Sequence, residues 1–193
     1  MKALLVIDCQ NDFFKDLSAY SCQMLDNKLI KNIKKLIDFC RAEKIPIVYT
    51  QHSIKKDKSN AEKGEPKDVR ACIIDTKGWK IIDEIKPRKD DKIIRKDRYD
   101  AFYKTNLEKV LKKLKVNTLI ICGVLTNNCI RATVEGAIYR GYKLLVVSDC
   151  CGATSFIKGV SHKRMHELTL KDLKERTYQT ELVNLSEIKY IIS

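Results

Sequence analysis

Three residues of this chain combine a reactive side chain with a position where ligands usually meet a fold. Cys129 closes the segment Gly123-Val124-Leu125-Thr126-Asn127-Asn128-Cys129, directly after the short apolar run Thr118–Cys122 and before a helical pattern from Ile130 to Tyr139. Asp8 follows the apolar run Ala3–Ile7, and Lys96 follows Ile93-Ile94-Arg95. An acid, a base and a thiol converging on one crevice suit nucleophilic amide chemistry. A cysteine at the start of a helix is also expected to gain from unpaired N–H groups and the positive dipole end, both of which favour thiolate. Each residue alone suits a bland role too: an Asp after a strand often closes a turn, and cysteine is a common small core residue. Their shared position at strand ends is what singles them out.

The elements that must position them follow from hydrophobic spacing. Strand-like runs recur at Ala3–Ile7, Ile45–Tyr49, Lys92–Arg95, Thr118–Cys122, Tyr142–Val147 and Thr180–Val183. Leu29, Ile33, Leu36, Ile37 and Cys40 keep three- and four-residue intervals, which predicts a helix from about Asp26 to Glu43. Leu107, Val110, Leu111 and Leu114 predict a second, opened by the capping-box pattern Thr105-x-x-Glu108. Ile130, Val134, Ala137 and Ile138 line a third that stops near Gly141, and His166, Leu170 and Leu173 line a fourth from about Ser161 to Lys174. Strands apolar on both faces and alternating with amphipathic helices imply a doubly wound, three-layer α/β/α fold with a mostly parallel six-stranded sheet. Nothing divides the chain, so residues 1–193 are expected to form one domain. The polar segment Ser53–Lys67 is expected as a surface excursion near the carboxyl edge of the sheet.

Composition narrows the function classes. No stretch approaches the roughly 18 apolar residues of a membrane span, and Ala3–Ile7, ended by Asp8, is short for a signal-peptide core. The expectation is a cytoplasmic protein without a membrane partner. Lys and Arg total 38 against 25 acidic residues, a net charge of +13. These cations are spread along helix faces, as at Lys31, Lys34, Lys35, Lys112, Lys113 and Lys115, which reads as a solvated surface and not as a nucleic-acid site. Eight cysteines contain no C-x-x-C pair, and Cys150-Cys151 are adjacent, so reduced thiols are expected and not a zinc knuckle or disulfide framework.

At this point the motifs converge on a known pattern. Asp8-Cys9-Gln10-Asn11-Asp12-Phe13 resembles the opening D-x-Q-N-D-F signature of the isochorismatase-like cysteine hydrolases. Lys96-Asp97-Arg98-Tyr99-Asp100-Ala101-Phe102, with Thr105 and Leu107, is similar to that family's lysine motif. Gly123 to Ile130, with Thr133, Ala137, Gly141 and Tyr142, is similar to its nucleophile motif, and Asp149-Cys150-Cys151-Gly152-Ala153 fits the acidic turn that follows. The matches occur in the family's order over about residues 3 to 153. The resemblance implies an isochorismatase-like (Rossmann-like) hydrolase fold with Asp8 as general base and acid, Cys129 as the nucleophile of a thioester, and Lys96 as charge stabiliser. It implies an oxyanion site from the backbone N–H groups of Leu125 and Cys129, a cis peptide at Val124-Leu125, and a homo-oligomer, dimer or tetramer.

Nicotinamidases of this family bind a metal through a D-x-H pair and further histidines. Here the corresponding stretch is Thr50-Gln51-His52, and His162 and His166 lie far downstream on a predicted helix, so no metal and no cofactor are expected. His162 and His166 are expected as surface or helix-face residues. Phe13, Tyr99 and Phe102 flank the reactive positions and, with His52 and Thr126, are the expected contacts to a small-molecule substrate; the aromatics equally suit packing. The leading expectation is hydrolysis of a C–N bond in a small amide or ureido compound. Two others stay open: isochorismatase-type vinyl-ether hydrolysis by Asp8, and a non-catalytic module that binds an anionic partner. Ser53–Lys67 and Ala71–Trp79 carry no readable specificity signature.

Overall fold

The computed structural model describes residues 1–14, 21–22, 27–62, 71–176 and 178–192. The expected helix start at Asp26 and residues 63–67 of the polar excursion lie outside the described residues. Six strands form one sheet: β1 (Lys2–Ile7), β2 (Ile47–His52), β3 (Lys92–Lys96), β4 (Thr118–Val124), β5 (Lys143–Gly152) and β6 (Thr180–Val183). Their order is β3-β2-β1-β4-β5-β6, and every neighbouring pair is parallel. β2 and β5 run further than their apolar residues suggest, because polar residues continue the ladder at the carboxyl ends: Thr50, Gln51 and His52 pair with Ile94, Arg95 and Lys96.

Strand alternation sends side chains to two separate cores. Leu4 and Val6 of β1 face a layer that includes Ile33, Leu36, Ile37 and Cys40 of α2 (Asn27–Ala42) and Ile188 and Ile192 of α6 (Leu185–Ile192). Ala3, Leu5 and Ile7 face Leu107 and Leu111 of α3 (Leu107–Lys113), Val134 and Ala137 of α4 (Arg131–Ile138), and Leu170 and Leu173 of α5 (His162–Glu175). This is a three-layer sandwich in which β1 is buried on both faces, as its unbroken apolar run requires. A short α1 (Asn11–Phe14) follows β1. No helix among the described residues is long and apolar enough to cross a membrane.

Two local readings change. Thr105 does not cap α3 in a box: its hydroxyl donates to the Ala101 carbonyl at 2.6 Å and accepts from Leu107 N–H at 3.1 Å, while Glu108 pairs with Lys112 and Arg140. The helix expected from Ile130 starts as a π turn over Thr126–Ile130 and becomes α-helical only at Arg131. Its far end stops as the sequence suggests. Gly141, at φ +78°, lets Tyr142 N–H reach the Ala137 carbonyl and its own N–H reach Ile138, a Schellman closure.

Candidate active site

The strand order reverses between β1 and β4, so the crevice beyond their carboxyl ends is the topological switch point where doubly wound sheets take ligands. Asp8 leaves β1 there and Cys129 lies on the π turn after β4. The two strands are locked in register with Ile7 opposite Gly123. Gly123 adopts φ +121°, and a Cβ there would fall 2.1 Å from the Ile7 carbonyl oxygen, so only glycine lets β4 pass this close to the residue preceding Asp8.

Lys96, the last residue of β3, reaches across β2 to join them. Its Nζ lies 2.6 Å from Asp8 Oδ2 and donates to Cys129 Sγ at 3.3 Å and to the Arg98 carbonyl at 3.0 Å. Three contacts occupy the three donors of an ammonium group. Asp8 and Lys96 side chains are fully buried, and Cys129 is nearly so. The Asp8 carboxylate lies near enough to raise the Cys129 thiol. Thus the structure brings the three sequence-predicted reactive residues into one contact set.

Thr50 on β2 completes the carboxylate's surroundings, donating to Asp8 Oδ1 at 2.6 Å while its oxygen accepts Asp8 N–H at 3.2 Å. Asp8 itself sits at φ +48°, a left-handed conformation unusual for a residue with a side chain. The rest of the opening motif clamps neighbouring loops. Gln10 donates to the His52 and Trp79 carbonyls and accepts from His52 N–H, Asn11 donates to the Lys77 carbonyl, and Asp12 accepts from Cys72 N–H.

These contacts decide the charge states. Burial alone would push Asp8 up, but the Lys96 charge beside it, with help from His52 and Cys129, holds it below the ordinary carboxylate value. Lys96 is raised: burial works against its charge, and Asp8 and Cys129 more than offset that. Burial pushes the Cys129 thiol up to about 12, with Lys96 pulling down and Asp8 pushing further up. This corrects the expectation of a helix-favoured thiolate. Desolvation and the adjacent carboxylate outweigh the helix end, and the resting site is an ion pair with a neutral thiol against it. Burial and the nearby Lys96 hold His52 down at about 4, so its imidazole is neutral at neutral pH.

A pocket of about 40 Å³ is lined by Phe13, His52, Ala71, Tyr99, Leu125, Asn128 and Cys129. Phe13, His52 and Tyr99 therefore line the pocket beside the sulfur. Two expected contacts do not. Phe102 packs in the core against Tyr142, with ring centroids 5.8 Å apart and the Arg140 guanidinium 4.7 Å from its ring centre. Thr126 is fully buried and turns to His166 Nδ1 at 2.9 Å. His166 is thus buried beneath the nucleophile turn and not on the surface. The Val124–Leu125 peptide is cis, and the Leu125 carbonyl accepts from Asn128 and Ile130 N–H groups inside the turn. Thr50, aligned by sequence with a metal-binding acid, spends its hydroxyl on Asp8. Among the described residues no group of three or more His, Cys, Asp or Glu could hold a metal ion.

Sequence reasoning gave Ala71 and Asn128 no role and did not connect Thr50 or His166 to the site. Of these, Thr50 and His166 carried a usable signal: a polar residue within an otherwise apolar strand, and a histidine on the apolar stripe of a helix.

Known proteins share this arrangement of chain. Nicotinamidase 3 of Arabidopsis thaliana is 30% identical over 173 residues, covering 89% of this chain and 79% of that protein. The ureidoacrylate amidohydrolase of Agrobacterium fabrum is 28% identical over 169 residues, 76% of this chain and 74% of that protein. A cysteine hydrolase from Pseudomonas syringae pv. phaseolicola shares the fold with a TM-score of 0.88 at 24% identity, covering 99% of this chain and 92% of that one. The family model described as the isochorismatase domain matches residues 2–182, and on that span the chain belongs to the isochorismatase family.

Proposed function

We propose that the 193-residue chain works as one unit that hydrolyses a C–N bond in a small amide or ureido compound through a thioester on Cys129, without a metal. The observation that carries this reading is the buried contact set of Asp8, Lys96 and Cys129 at the floor of the pocket. Family membership and relatives named as a nicotinamidase and a ureidoacrylate amidohydrolase support hydrolysis at C–N bonds.

In this mechanism the thiol proton moves to Asp8 as the sulfur attacks the carbonyl carbon. The set is neutral before the transfer and carries one positive charge after the attack, since the carboxylate becomes a carboxylic acid while the sulfur, first thiol and then carbon-bound, stays neutral; the matching negative charge is on the tetrahedral oxygen. Lys96 stabilises negative charge at the sulfur while it exists. The tetrahedral oxygen is held by the backbone N–H groups of Leu125 and Cys129, donors fixed before the reaction begins. Collapse breaks the C–N bond, and Asp8 returns the proton to the leaving amine. A water molecule then gives a proton to Asp8 and attacks the thioester; collapse breaks the C–S bond, releases the acid, and Asp8 returns the proton to the sulfur. The raised thiol is compatible with this scheme because its base is already in contact. Ionisation waits for a carbonyl, which spares the resting enzyme a reactive thiolate.

Vinyl-ether hydrolysis would instead begin with proton donation from Asp8. An aspartate resting ionised against Lys96 and Thr50 is better placed to accept a proton first. The test is to mix the protein with a panel of small amides and ureas, quench within the first turnovers, and weigh the intact chain. The reading predicts an acyl adduct on Cys129 and ammonia or amine release that Cys129→Ala abolishes. Full activity in Cys129→Ala would overturn it.

A further inference from the structure

The nucleophile turn is held from below by a buried hydrogen-bond strap that the chemistry above does not use. Thr126, the first residue of the π turn, is fully buried and lies three residues before Cys129 and one after Leu125. Its hydroxyl is 2.9 Å from His166 Nδ1, on α5, which packs directly on the turn. Nδ1 can present either a lone pair or an N–H, and the Thr126 hydroxyl can answer either one. Burial lowers this imidazole from its ordinary value, against a smaller opposing effect of the Ser148 main chain.

We propose that His166 is a positioning residue that acts through Thr126, fixing the turn that aims the Cys129 sulfur and the Leu125 and Cys129 N–H groups at the substrate carbonyl. The inference rests on Cys129 being the nucleophile. Its physical basis is that a π turn is a rare, single-turn geometry. Here the turn has no side-chain cap at its N-cap residue Leu125, and a hydroxyl-to-imidazole bond anchors its first residue to α5. Displacement by even about 1 Å of groups that must meet a transition state can cost about 100-fold in rate.

Thr126→Val keeps the buried volume and removes the hydroxyl; Thr126→Ser keeps the hydroxyl. On an amide that the wild type turns over, Thr126→Val is expected to lower kcat by about 10–100-fold with KM within about threefold, and Thr126→Ser to restore most of the loss. His166→Phe should match Thr126→Val, and the double variant should be no slower than either alone, since both remove one strap. If His166→Phe does not fold, the Thr126 pair decides. Wild-type kcat in Thr126→Val, a Thr126→Ser variant as slow as Thr126→Val, or losses that multiply in the double variant would each overturn the proposal. Cys129→Ala, run alongside, separates the two readings. Activity there removes the nucleophile assignment, whereas an inactive Cys129→Ala beside an unaffected Thr126→Val removes only the strap.

Discussion

Strand β3 has an ion pair at each end, and the two differ in everything but length. At its amino end, Asp91 meets Arg41 of α2 at 2.6 Å, with side-chain exposures of 10% and 16%. Asp91 also accepts the Arg88 N–H at 2.8 Å, so the pair ties a turn to a helix. At its carboxyl end, Lys96 meets Asp8 at the same 2.6 Å, but both side chains are fully buried and the ammonium also donates to the Cys129 thiol. The first pair closes on itself. In the second, a neutral group that can give up a proton lies against a carboxylate that can take it, with a cation in place to stabilise the result. Charge pairing alone makes a staple; burial and a third, proton-bearing partner make a reactive site.

Substitutions test this contrast directly. Cys129→Ala and Asp8→Asn are each expected to lower turnover by on the order of 10⁴-fold or more, because members of such a unit fail together. Arg41→Ala should leave turnover within a few-fold of wild type, as measured by amine release. Stability should separate the ends as well. Lys96→Ala strands a buried carboxylate and is expected to cost about 3–5 kcal/mol in denaturant unfolding. Arg41→Ala, at a partly hydrated pair, should cost about 1–2 kcal/mol. Equal losses at the two ends would dissolve the contrast.

The pH dependence follows from the same contacts. Asp8 is depressed, so its contribution to stability is present above the unfolded carboxylate value and is lost as pH falls through the lower folded one. Lys96 is raised, so its contribution is present below the unfolded lysine value and is lost as pH climbs through the higher folded one. Between about pH 4 and 10 the ion pair therefore neither gains nor loses its contribution to the fold. His52, held at about 4, stays neutral over that window. The acid limb of kcat/KM is accordingly expected below about pH 4, with a flat profile through neutrality. A limb centred near 6 to 7 would show that a histidine governs the reaction instead.

The sequence-structure relation divides along similar lines. Local patterns carried the layers: the α2 stripe, the two-faced apolar strands and the closing Gly141 all act over a few residues, where spacing reports burial. The carboxyl ends of β2 and β5 were less legible, since residues outside the apolar runs continue the ladder there, with Thr50 of β2 bonding Asp8 and Ser148 and Asp149 of β5 bonding neighbouring segments. α6 was missed although Leu185, Ile188 and Ile192 keep a helical interval, because eight residues directly after a strand give little periodicity to read. At the site, Asp8, Lys96 and Cys129 could be singled out as reactive types at strand ends. Thr50 on Asp8 and His166 under Thr126 join residues about forty positions apart, and no local pattern encodes such a meeting. The thiolate expectation failed for the same reason. A helix end is visible in sequence, whereas the desolvation and the carboxylate that raise the Cys129 thiol belong to the assembled fold.

The central claim is that Cys129 rests as a thiol because burial and the Asp8 carboxylate together keep its proton there, with Lys96 ready to stabilise the sulfur's charge. Alkylation of Cys129, followed by peptide mass across pH 6–10 in wild type and in Asp8→Asn, tests this most directly. The account predicts that removing the carboxylate leaves the sulfur facing Lys96 alone, so Asp8→Asn alkylates faster than wild type at neutral pH while turning over no substrate. Slower or unchanged alkylation in Asp8→Asn would contradict it.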